Sequence, residues 1–107
     1  MIMSKDIKST LKERGDIYGP FKDGAATMQA LKKVIRANYG YADLNPAQCE
    51  ALDMILHKVG RIVNGNPNYI DNWRDISGFS SLIVEILQKD ESAIDSKVEY
   101  FSPAGQY

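Results

Sequence analysis

Apolar residues recur along this chain at intervals of three and four, the spacing of one face of a helix. Read with the turn residues between them, they predict four helices and a tail. The first covers residues 4–14, with Ser4 as its N-cap and Ile7 and Leu11 as a narrow apolar stripe. Gly15, Gly19 and Pro20 then break it. The second covers residues 21–38, where Phe21, Met28, Leu31, Val34 and Ile35 share a side and Gly40 is placed to end the helix. The third has the clearest pattern. Asn45 and Pro46 read as N-cap and first helical residue, and Gly65 as the stop. At about 100° per residue, Leu52, Ile55, Leu56, Val59, Ile62 and Val63 make one continuous arc, with Glu50, Asp53, His57 and Arg61 opposite. Turn chemistry fills residues 65–70. The fourth helix covers residues 71–88, with Ile76, Phe79, Leu82, Ile83, Ile86 and Leu87 as its arc.

These elements predict an all-α fold, a bundle of about four helices. Residues 1–88 form a single helical domain, and residues 89–107 a polar, loosely attached tail whose anchors are Tyr100, Phe101 and Tyr107. Loops of about six residues favour antiparallel neighbours. Pairing the third and fourth helices this way sets Asp71 and Asp75 near Lys58 and Arg61, and far from Glu50 and Asp53. A chain of 107 residues has a limited core, so the bundle is expected to self-associate into a homo-oligomer. Trp73 lies off its helix's main arc. It is expected to be a packing anchor covered by the Tyr18 loop or by a second subunit.

Composition narrows the function classes. Hydrophobic residues make up 44% and charged residues 25%, which excludes a wholly disordered chain, a collagen-like fibre and a coiled-coil rod. Thirteen Lys and Arg against fourteen Asp and Glu give a net charge of −1, without the basic balance that a nucleic-acid partner calls for. The one cysteine, Cys49, leaves no internal disulfide and fits a reducing cytoplasm. Apolar runs are too short to span a membrane, and Met1 to Asp6 hold no signal-peptide core. The expected location is the cytoplasm.

The fourth helix carries an anomaly. Asp75 falls inside the apolar arc, with Asp71 one turn earlier and Gly78 leaving room beside it. A carboxylate among core side chains needs a cation or a metal. Either Asp75 pairs with a basic residue of another helix and Asp71 sits plainly at the helix start, or both face a shared site. Glu50 and Asp53 are adjacent on the third helix and would complete a set of oxygen ligands suited to Mg²⁺, or they form only its outer face. Lys58 and Arg61 would hold phosphates near that metal, or neutralise the acids. On the second helix, Lys22, Lys32, Lys33 and Arg36 form a basic side, solvated or anion-facing. The segment from Arg14 to Pro20 holds an aromatic and an Arg–Asp pair and is more than a spacer. His57 and Cys49 lack zinc spacing, and there is no G-x-x-x-x-G-K-[ST] or G-x-G-x-x-G loop and no nucleophile elbow.

The run Met54-Ile55-Leu56-His57-Lys58-Val59-Gly60-Arg61, followed by Asp71-Asn72-Trp73-Arg74-Asp75-Ile76-Ser77-Gly78-Phe79, resembles a family of small tailed-phage and prophage proteins. Its marks are a "Y-G" loop near the N-terminus, here Arg14 to Phe21, an "M-I-x-x-K-x-x-R" helix and a "D-x-W-x-D-I-x-G-Y" helix, in which Phe79 stands for the final Tyr. The resemblance covers residues 11–88 and implies a phage accessory protein working in the bacterial host cytoplasm. The chain is more distantly similar to the all-α, MazG-like nucleotide pyrophosphatases, whose helices bind Mg²⁺ through E-x-x-E and E-x-x-D. That likeness implies a Mg²⁺-dependent nucleotide pyrophosphohydrolase, with Glu50, Asp53, Asp71 and Asp75 as metal ligands and Lys58 and Arg61 on the phosphates. The i, i+4 spacing of Asp71 and Asp75 departs from the pattern. Two alternatives follow: a non-catalytic phage protein that binds and inhibits a host protein, or a nucleotide-binding module without turnover.

Overall fold

The computed structural model describes residues 2–95. It is an all-α bundle: α1 (Ile2–Tyr18), α2 (Phe21–Ala37), a 3-10 turn (Tyr39–Asp43), α3 (Pro46–Asn64) and α4 (Ile70–Asp95). α3 packs antiparallel against α4 on one side and against α2 on the other, while α1 touches α2 and α3 more sparsely.

Local chemistry sets these boundaries. α1 runs through Gly15, against expectation. A single glycine costs a helix only about 1 kcal/mol relative to Ala, too little to break it. The break falls at Gly19, whose φ of +78° ends the helix while its N–H still donates to the Gly15 carbonyl at 2.8 Å. Pro20 then caps α2 in an extended conformation. At the other end of α2, Gly40 does not adopt a left-handed cap. Asn38 stops the helix in extended backbone, and its side chain accepts the Gly40 N–H at 2.8 Å, opening the 3-10 turn. The start of α3 is as expected. Asn45 accepts the Gln48 N–H at 2.8 Å and Gln48 accepts the Asn45 N–H at 3.0 Å, a reciprocal capping box with Pro46 inside it. α4 continues to Asp95, seven residues past its expected end, and residues 96–107, with Tyr100, Phe101 and Tyr107, lie outside the described part.

The two loops at one end of the bundle are stitched together. The Asn64 amide donates to the carbonyls of Tyr18 and Pro20, both at 2.9 Å, and the Asn66 N–H donates to the Ile17 carbonyl at 2.7 Å. A Cβ on Gly19 would overlap the Asn64 carbonyl, and one on Gly65 would overlap the backbone of Ile17 and Tyr18. Backbone meets backbone here, which only glycine permits. Trp73 closes the α3–α4 loop by donating its indole N–H to the Pro67 carbonyl at 2.8 Å, and the residue stays 53% exposed.

Little of the apolar surface is covered. Among the described residues Ala51 is the one apolar side chain that is fully buried, and the deepest side chain is the polar Asn72, 1% exposed, whose amide nitrogen finds no partner. The arcs of α3 and α4 do face each other, but most of their side chains are only half-buried.

Candidate functional site

The sequence-selected residues divide into separate pairs. The Lys58 ammonium meets the Asp75 carboxylate at 2.8 Å across α3 and α4, as antiparallel pairing requires. The burial is the reverse of that expected. Lys58 is the enclosed partner, 12% exposed at its side chain, and Asp75 the open one at 46%. Asp75 lies at the edge of the α3–α4 seam, where Gly78 leaves open space beside it. Asp53 accepts two hydrogen bonds from Arg36 of α2, at 3.1 and 3.2 Å, so its carboxylate is committed to a different helix pair. Glu50 is exposed on α3. Asp71 lies 3.7 Å from Arg74, and side-chain hydrogen bonding to it, with its charge second, pushes the Tyr69 phenol above its ordinary range. Among the described residues, no three His, Cys, Asp or Glu side chains gather closely enough to hold a metal ion.

Arg61 turns away from these acids. Its guanidinium lies over the ring of Tyr18, 4.1 Å from the centroid, and Arg14 covers the same ring at 5.0 Å. Tyr18 also meets Tyr69 edge-on, with centroids 5.9 Å apart and planes at 85°. This cluster forms because α1 stays helical through Gly15, which brings Arg14 and Tyr18, four residues apart, onto one face. The stitched loops then press that face against α3.

The cluster stands at the mouth of a cleft of about 560 Å³ between α1, α2 and α3. Leu11, Phe21 and Met28 supply apolar walls, and Arg14, His57 and Arg61 supply the polar points. Burial lowers the His57 pKa, and the positive charges of Arg61, Lys32, Lys58 and Arg14 lower it further. All four of those neighbours are cations, and among the described residues no carboxylate lines the cleft.

Sequence reading placed His57 and Arg61 on one face of α3 but missed Arg14 and Tyr18 as their companions. The signal that could have found them is the i, i+4 relation of Arg14 and Tyr18, hidden by taking Gly15 as a helix breaker.

Compared with known proteins, the chain matches no family model, no curated protein and no solved structure.

Proposed function

We propose that this chain is a non-catalytic accessory protein, of the phage kind its motifs resemble, acting through protein–protein contact and first of all with further copies of itself. The observation that carries this reading is the uncovered apolar surface. Val34 on α2, Val63 on α3 and Leu82, Val84 and Ile86 on α4 are exposed, while Ala51 alone among apolar side chains is fully buried in the described residues. Fully burying one Leu or Ile contributes roughly 1.5–3 kcal/mol, so several left open favour association strongly. No described helix is long and apolar enough to cross a membrane, which leaves protein as the natural cover. Surface left open after self-association would suit the host protein of the resemblance-based reading.

Light scattering over a wide concentration range tests this. A mass above the 12.0 kDa of one chain is expected, reduced by Leu82→Glu or Ile86→Glu. A 12.0 kDa species at every concentration would overturn the reading. The Mg²⁺-dependent hydrolase draws no support from this geometry, since Asp53 is tied to Arg36 and Asp75 to Lys58. Pyrophosphate release from nucleoside triphosphates with Mg²⁺ or Mn²⁺ would restore it.

A further inference from the structure

The Tyr18 cleft holds positive charge without its complement. Arg14 and Arg61 both lie on the Tyr18 ring, yet among the described residues neither has a carboxylate within salt-bridge distance. Elsewhere the same surface pairs its charges readily: Arg36 with Asp53, Lys58 with Asp75, Lys12 with Asp16. Of the four arginines, Arg36 and Arg74 have such a partner, and the two without one, Arg14 and Arg61, stand together at this cleft. That place has depth as well as charge. A volume of about 560 Å³ lies within the roughly 300–1,000 Å³ of small-molecule sites, and its walls are mostly apolar. Gly15, on the α1 side, meets nothing within 4 Å of where a side chain would begin, so the wall is open there. Phe21, at the rim, is 86% exposed and free to lie over a guest.

We propose that this cleft binds a small amphipathic anion, a carboxylate, sulfonate or phosphate carried on an aromatic or aliphatic body. The anionic head pairs with the Arg14 and Arg61 guanidiniums, whose planar donors suit a two-oxygen acceptor. The body lies against Leu11, Phe21 and Met28. Tyr18 keeps both guanidiniums in place through its ring face, and Tyr69 fixes Tyr18 in turn. Asn64, by holding the Tyr18 and Pro20 carbonyls, sets the angle between the walls. The site is independent of the self-association proposed above.

His57 lines the cleft and is the chain's one histidine, so its ring resonances report on this place alone. The probe is the anionic dye 1-anilinonaphthalene-8-sulfonate, compared with its uncharged relative N-phenyl-1-naphthylamine. The sulfonate dye is expected to shift the His57 signals saturably and to raise the His57 pKa, as an anion beside an imidazole must. The neutral dye should bind at least tenfold more weakly. Arg14→Gln, on the exposed side of α1, and Arg61→Gln should each weaken the sulfonate dye about tenfold or more. Arg14→Gln carries the test if Arg61→Gln fails to fold. Dye fluorescence that rises while the His57 signals stay still would place binding on the exposed apolar faces and overturn the proposal. Equal affinity for the two dyes, or wild-type affinity in Arg14→Gln, would overturn it as well.

Discussion

The two ends of this bundle are built differently. At the loop end, where α1 turns into α2 and α3 into α4, directional bonds tie the two loops: Asn64 to Tyr18 and Pro20, Asn66 to Ile17, Trp73 to Pro67. At the far end, the C-terminal half of α4, the end of α2 and the 3-10 turn carry Leu82, Val84, Ile86, Val34 and Tyr39 uncovered, Tyr39 at 95% exposure. Directional contacts fix geometry without needing much area, whereas apolar burial needs area and gives little direction. The loop end is therefore fixed by directional bonds even though Phe21, Val63 and Trp73 stay exposed there, while the far end offers mainly apolar area for a second chain to cover.

The largest effect should come from breaking the loop end at its tightest point. Gly19→Ala forces a left-handed residue and pushes a methyl into the Asn64 carbonyl. It should cost at least ~3 kcal/mol, lowering Tm by roughly 12 °C or more. Asn64→Ala removes two donated hydrogen bonds and should cost about 2 kcal/mol, read by the same melting curves. The α3–α4 seam gives a smaller and asymmetric effect. Asp75→Asn leaves the enclosed Lys58 ammonium unpaired and should cost ~1–2 kcal/mol, while Lys58→Met leaves a half-exposed carboxylate to water and should cost less. Equal losses would mean that the burial of the pair is misassigned.

The pH response is the subtlest test. The folded His57 pKa lies below its unfolded value, so the unfolded chain binds the proton more readily. Stability should fall as pH drops through the usual imidazole range near 6.5 and level off below the depressed folded value. His57→Gln should flatten that slope in melting curves taken at a series of pH values.

Much of the fold was legible because it is local. Asn45, Pro46 and Gly65 mark α3 by backbone chemistry that needs no tertiary context, and the short α3–α4 loop was enough to bring Lys58 to Asp75. The exposure of Asp75 was not legible, since an arc drawn on one helix does not say how many neighbours cover it. α4 is paired along one flank only, and its arc is wider than its partner. The Tyr18 cleft was legible in its parts alone. Arg14 and Tyr18 were noticed in a segment taken for a loop, and Arg61 in a helix assigned to phosphates. Only the meeting of two distant loops shows that the three belong together.

That meeting also orders the events of folding. The bond from Asn66 to the Ile17 carbonyl closes a stretch of chain that contains all of α2 and α3. The α3–α4 and α2–α3 hairpins close much shorter stretches and should form first, because loop-closure entropy grows with the length enclosed. α1 then docks last, onto a surface the hairpins have already made, and its side chains from Asp6 to Asp16 remain exposed once it has done so. An element that arrives last and covers little should also leave first. Amides of α1 ahead of Tyr18 should exchange with solvent through a partial opening, while those of α3 wait for the whole bundle to unfold. The first helix is thus the last wall of the cleft to form and should be the first to come away.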